Sequence, residues 1–425
     1  MKRMPSAFVL VLLVACSGQP TEDAAPGGDT EVSATIRFQV SGEAEEVAVY
    51  DAVIKAFENV NPNVQVEMTA IAEKDEHLAK LATSFAAGKA PDVFLVNFRE
   101  YSQFVAQGAL EPVDGLLEDA GIDYADYFPQ PIEAFTYDEQ LQCMPQNISS
   151  LVVYYNKTLF KEAGLKHPDA DWTWSDFRSY GDALTEGDVD GMGIEPSVIR
   201  MAPFVWGNGG EIVDDPDNPT RFAFEEPAAR EALEFIVSLV EDGLVPTEEE
   251  VTAQDLETRF MAGKLGMLLS SRRETPSFRE VVGLDFDVAS LPVGEEPAGI
   301  LYSDGYCISA GSENVDAAVA FIAFATGSEG QTLTSLAGRT VPSLKSVANS
   351  PAFLDPTQPP KHSAVFIDAI PNIERTPVLP TWPEIEDVTE EILTRVFYED
   401  GYSIDQGIEE LEEQTHVLFE EGTSG

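Results

Sequence analysis

The order strand, helix, strand at the start of the globular part constrains this chain more than any other feature. "TIRFQV", 35–40, alternates apolar and polar residues, as a half-buried strand does. After the break at Ser41-Gly42-Glu43, residues Val47, Tyr50, Ile54 and Phe57 recur three or four apart and make one apolar helical stripe. Asn61-Pro62-Asn63 stops that helix, and "VQVEM", 64–68, alternates again. Two strands joined through a helix favour a parallel sheet with a right-handed crossover.

The alternation continues. Residues 77–87 read as a helix ending at Gly88, "PDVFLV" as a buried strand, "YSQFVAQG" as a helix stopped by Gly108, and "LVVYY" as a further strand. "TLFKEAG" reads as a helix with Gly164 just past its end. Pro227 near the first turn opens a helix whose inner face is Ala232, Leu233, Ile236, Val237 and Val240. Val315, Val319 and Ile322 mark another helix. Ile385, Val388, Ile392 and Val396, then Ile404, Ile408, Leu411 and Leu418, mark two amphipathic C-terminal ones. The chain is therefore α/β with a helical C-terminus. Its 425 residues exceed one ordinary core, so two lobes are expected.

Charge narrows the partners. Asp and Glu number 75 against 25 Lys and Arg, a formal net charge of −50, spread along the whole length. Nucleic acid and anionic membrane surfaces repel such a chain, and a solvated acidic surface is the expected state. The N-terminus reads as a processing signal. Lys2 and Arg3 precede the apolar run "AFVLVLLVA", too short for a mature membrane span, which leads into Leu13-Val14-Ala15-Cys16. This order resembles the bacterial lipobox, which implies lipidation of Cys16. Residues 17–33 read as a flexible tether. Cys143 and Cys307 are either a disulfide or two buried thiols; spacing does not choose between them.

Catalytic and metal patterns are missing. The four histidines, His77, His167, His362 and His416, are dispersed and expected at the surface, and no HExxH helix occurs. Neither a G-x-S-x-G elbow nor a G-x-x-x-x-G-K-[ST] loop is found. In "FVWGNGGEIVDD", 204–215, the glycines are followed by a β-like segment and a turn, not by the helix a dinucleotide fingerprint requires. The stretch is expected to be a loop whose glycines let backbone approach a ligand, with Trp206 as an apolar face and Asn208 as donor and acceptor.

Several segments taken in order carry a family resemblance: "VYDAVIKAFENVNPNVQVEM", "KLATSFAAGKAPDVFLVN", "FVAQGALEPVDGLL", "LVVYYNKTLFKEAGL", "WTWSDF", "WGNGGEIVDD" and "RFMAGKLGML". Behind a lipobox, this order resembles the extracellular solute-binding proteins of ABC transporters, family 1, the carbohydrate-binding lipoproteins related to maltose-binding protein. The resemblance covers residues 35–418. It implies a two-lobed periplasmic-binding-protein fold with a ligand cleft between the lobes. The crossings would lie near 147–151, 301–306 and 338–343. The N-terminal lobe would be 35–147 plus 306–340 and the C-terminal lobe 148–305 plus 341–425, after a signal peptide (1–15) and a tether (16–34).

The resemblance also places site residues. Ser41 and Glu43 match the family's turn after the first strand; Asn97 and Arg99 sit at the equivalent edge after "PDVFLV". Asn147 and Ser149 belong to the first crossing, Tyr302, Asp304 and Gly305 to the second, and Arg339 to the third. Trp206, Asn208 and Gly209 come from the glycine-rich loop, and Arg272 or Arg273 follows "KLGMLLSS". Trp382 stands where the family stacks an aromatic on a sugar ring. Trp172 and Trp174 are expected to pack, and Cys307 to be a small buried hydrophobe. Where the family often carries Trp at the end of the first strand, this chain reads "FQVSGE".

The implied function is capture of a sugar or oligosaccharide and its delivery to a membrane permease, by a lipid-anchored monomer that needs no cofactor, metal or nucleic acid and catalyses nothing. Two ligand alternatives keep the same fold: a polyamine, suited to Glu43 and Asp304, and a phosphorylated polyol, which needs a cluster from Arg99, Arg272, Arg273 and Arg339. A secreted glycosidase-type hydrolase is the distant alternative.

Overall fold

The computed structural model describes residues 33–423. The first strand, Ala34–Ser41, pairs in parallel with Val64–Ile71 on one side and Val93–Asn97 on the other. Between them runs the helix Ala44–Val60, which buries Tyr50, Val53, Ile54 and Phe57. Burying each such side chain stabilises by roughly 1.5–3 kcal/mol. Asn61 ends the helix, its backbone N–H and its Nδ2 both donating to the Phe57 carbonyl. Phe57 meets Phe321 and Phe324 of the helix Val315–Thr326, ring centres 5.3 and 5.7 Å apart. Distant stretches of chain thus close one core.

The same sheet takes in Asp304–Ser309, antiparallel to Val93–Asn97, Leu110–Glu111 and Cys143–Pro145. Cys143 and Cys307 stand opposite each other in that ladder and form a disulfide, which resolves the choice left open by spacing.

A second sheet has the order Phe286–Ala289, Val152–Asn156, Leu265–Ser270, Asp190–Gly193. Its two central strands, Val152–Asn156 and Leu265–Ser270, read as nearly continuous apolar runs because both faces are covered. Val152 and Tyr154 pack to one side with Leu268, Phe286 and Val288. Val153 and Tyr155 pack to the other with Met267, Leu269 and Ala289. The period of two along each strand assigns alternate residues to the two cores. The C-terminal helices Trp382–Tyr398 and Ile404–Thr423 pack on each other and join the second core.

Three chain segments link the halves and are hydrogen-bonded to one another. Ser149 and Tyr302 exchange backbone N–H···O bonds of 2.8 and 2.9 Å, Ile148 N–H donates to Val341 O, and Asn147 bridges Pro342. Ser150 Oγ accepts from Ile300 N–H at 3.0 Å.

Two expectations change. Residues 198–207 are a helix, so Trp206 lies on its last turn and not in a loop. Eight of its ten residues are buried, so the run reads as one apolar block, and its internal Pro203 reads as a breaker. Gly209, at φ 71°, is the left-handed residue that ends it, its N–H donating to Trp206 O. His77 is 1% exposed and not a surface residue: its ring nitrogens face Leu95 O at 3.0 Å and Gln39 Nε2 at 3.3 Å, and burial holds its pKa below the ordinary value.

Candidate functional site

Asp304 sits where the second crossing enters the first sheet. Asn97, at the end of its neighbouring strand, donates Nδ2–H to Asp304 Oδ1 at 3.1 Å. Asn147, on the first crossing, donates Nδ2–H to Oδ2 at 3.2 Å, and its own Oδ1 accepts the Asp304 N–H at 2.7 Å. Ser303 Oγ–H closes the set onto Asn147 O at 2.7 Å. Burial still raises the Asp304 pKa, because the amides compensate only part of the lost hydration and no cation is bonded to it.

Tyr302 is the next element of the floor. Arg200, from the helix Val198–Gly207, donates Nη1–H to its hydroxyl. The Arg99 guanidinium lies 5.6 Å from its ring centre on the other side. Tyr302 and Asp304 both keep part of their surface accessible where the crossings meet, which makes them the exposed floor of that junction. Arg99 Nε is 3.2 Å from Glu386 Oε1, close enough for an ion pair but outside hydrogen-bonding geometry. Glu386 Oε1 accepts from Trp382 Nε1–H at 2.6 Å. Lys74 and Glu100 pair at 2.9 Å, and Arg339 pairs with Glu46 at 3.1 Å. Glu46 has a raised pKa from burial, opposed by Arg339 and reinforced by Asp304.

Of the residues expected from sequence, the structure brings together Asn97, Arg99, Asn147, Ser149, Tyr302 and Asp304, with Arg339 reaching the same region through Glu46. Ser41 is half-buried, and Glu43 is exposed at the start of the first helix. Others are placed in packing roles. Arg272 is 1% exposed, lies over the rings of Phe353 and Phe366, and donates to Gly338 O and Ser363 Oγ; burial lowers its pKa to about 10. Arg273, its neighbour, instead stays largely exposed and feels Glu274, Glu257 and Glu46. Trp382 is fully buried against Phe222 and Phe419. Trp206 is also buried. Asn208 donates to Ala228 O at 2.9 Å, which docks the helix Pro227–Glu241, and Gly209 supplies the turn. At Gly305 a Cβ would stand 2.7 Å from the Phe135 ring, so that glycine serves close packing.

Sequence reasoning missed Arg200, Glu195 and Glu386. Arg200 carried a usable signal, a lone base in the apolar run "VIRMAPFVW". Glu195 and Glu386 carried none, since carboxylates are everywhere in this chain.

Two α/β halves joined by three mutually bonded crossings, with a polar floor between them, define the two-lobed solute-binding fold of ABC transporters. The chain belongs to the bacterial extracellular solute-binding protein family, whose model matches residues 52–361. Over 379 residues it is 26% identical to a binding protein of Brucella abortus, covering 86% of this chain and 89% of that one. An ABC substrate-binding protein of Listeria monocytogenes in complex with cycloalternan superposes with a TM-score of 0.83 at 25% identity, covering 91% of this chain and 99% of the other. UgpB of Mycobacterium tuberculosis in complex with glycerophosphocholine gives 0.79 at 22%, covering 91% and 98%. Family and fold are those of transporter binding proteins, and among the described residues no helix is long and apolar enough to cross a membrane.

Proposed function

We propose that the cleft captures a sugar or oligosaccharide and presents it to the permease of an ABC importer. The observation that carries this reading is the floor itself: Asn97, Asn147, Tyr302 and Asp304 converge there and offer amide, hydroxyl and carboxylate groups beside one aromatic ring. Such a set matches hydroxyls that donate and accept together, next to an apolar C–H face. The Listeria protein and its cycloalternan support the same reading. The chain acts as a monomer without catalysis of its own, divided into lobes at 35–147 plus 306–340 and 148–305 plus 341–425. Cys16, outside the described residues, is its lipid anchor to the membrane, with the chain facing the periplasm or the exterior. Ligand binding closes the lobes about the crossings.

Calorimetry and thermal shift across neutral mono-, di- and trisaccharides test this. A true ligand at a hundredfold excess over Kd raises stability by about 2.7 kcal/mol. No response across the panel would remove the carbohydrate reading.

A further inference from the structure

Arg99 and Arg200 reach Tyr302 from different halves of the fold, and each arrives with its own carboxylate. Arg99 has Glu386 at 3.2 Å; Arg200 has Glu195 Oε2 2.7 Å from its Nη2. Arg99 Nη1 and Arg200 Nε have no hydrogen-bond partner among the described residues and are shut off from solvent. The Arg99 side chain is only 9% exposed. A buried N–H left unpaired is unfavourable, and because these atoms are enclosed by protein an oxygen acceptor reaches them only when the surrounding side chains or halves shift. Their positive charge, however, is already matched: Glu386 stands against Arg99, and Glu195, with Glu257 behind it, stands against Arg200. Lys74 with Glu100 forms a further balanced pair, and Asp304 adds an unmatched negative charge.

We propose that Glu195 and Glu386 determine the charge selectivity of the cleft: they neutralise Arg200 and Arg99, so that uncharged hydroxyl ligands are accepted while phosphate and carboxylate groups are refused. This rests on the carbohydrate reading given above. Two arginines meeting at one tyrosine would otherwise form an anion site, since guanidinium groups match phosphate in geometry and charge. The carboxylates act against that ligand class by like-charge contact, the usual way a site rejects a competitor.

The test uses the full mature chain and its Glu195→Gln, Glu386→Gln and double variants, titrated with inorganic phosphate, sn-glycerol 3-phosphate, maltose and maltotriose. Wild type should ignore both phosphorylated probes. Each single variant should gain at least tenfold in affinity for them, and the gain should collapse with added salt. Adding Arg200→Gln to Glu195→Gln should abolish it. Glu195 is the more exposed of the two carboxylates, so Glu195→Gln decides the matter even if Glu386→Gln fails to fold. Variants that bind phosphate no better than wild type would overturn the proposal, as would wild type that binds sn-glycerol 3-phosphate. If wild type binds neither maltose nor maltotriose but the variants still gain phosphate, the charge selectivity stands and only the carbohydrate reading is weakened.

Discussion

Asn147 and Asp304 hold each other across two of the three inter-lobe crossings: the Asp304 N–H donates to Asn147 Oδ1 at 2.7 Å while Asn147 Nδ2–H donates to Asp304 Oδ2 at 3.2 Å. The amide is used twice, its oxygen as acceptor and its NH2 as donor. Asn147→Ala leaves a buried N–H unpaired and strips one amide from a carboxylate that burial already disfavours. The expected loss of stability is about 1–3 kcal/mol. Asn147→Asp, nearly identical in shape, should also lower the melting temperature, because it sets two carboxylates against each other. An aspartate variant as stable as wild type at pH 7 would show that the paired amide does not hold the crossings.

Trp382 is a stability residue whose indole N–H also fixes Glu386. Trp382→Ala should cost about 3–5 kcal/mol of stability by opening a cavity between Phe222 and Phe419. Trp382→Phe keeps most of the volume, and its sugar affinity should stay within about tenfold of wild type, or 1.4 kcal/mol. A larger loss of affinity with an unchanged melting temperature would mean that the indole contacts ligand after all.

These two residues show what sequence can and cannot carry. The first strand, helix and strand were legible because each buries one face, and burying one face leaves a period in the residues. The helix 198–207 was not legible, because its residues form a short, nearly continuous apolar run and Pro203 inside it reads as a breaker. The family order places Asn97 and Asp304 at strand ends and Asn147 on a crossing; that the three meet around one carboxylate shows only in the fold. Arg272 and Arg273 are adjacent and chemically alike. Only packing decides that Arg272 turns inward between Phe353 and Phe366 while Arg273 stays exposed. Trp382 looked like a stacking ring because a sequence gives its position, one residue before Pro383, but not the direction of its side chain.

The disulfide joins residues 164 apart in sequence. Constraining so long a loop in the unfolded chain stabilises the fold by up to about 5 kcal/mol in the chain-entropy account. Alkylation of the denatured, unreduced protein followed by peptide mapping should find neither Cys143 nor Cys307 labelled. The Cys143→Ser, Cys307→Ser double variant should melt well below wild type. Labelling of both cysteines before reduction would instead assign them as buried thiols.

Glu257 gives the pH dependence. Burial first, and then repulsion from Glu195, pushes its pKa up to about 6 from an ordinary 4.5, with Arg200 pulling only weakly the other way. The folded chain therefore binds this proton more readily than the unfolded one. The charged carboxylate destabilises the fold at pH 7, and that penalty fades as the pH falls through about 6 towards 4.5. Glu257→Gln, which imitates the protonated form, should be more stable than wild type by about 1–2 kcal/mol at pH 7. Near pH 4.5 the two proteins should unfold at nearly the same denaturant concentration. His77 acts in the opposite sense. Its depressed pKa makes the unfolded chain the better proton binder, so its contribution to stability falls as pH drops below the ordinary 6.5. His77 is common to both proteins, so the difference between them isolates Glu257. If Glu257→Gln is instead less stable than wild type at pH 7, attraction to Arg200 and Arg273 outweighs the cost of burial, and the carboxylate belongs to the cleft's ion pairs.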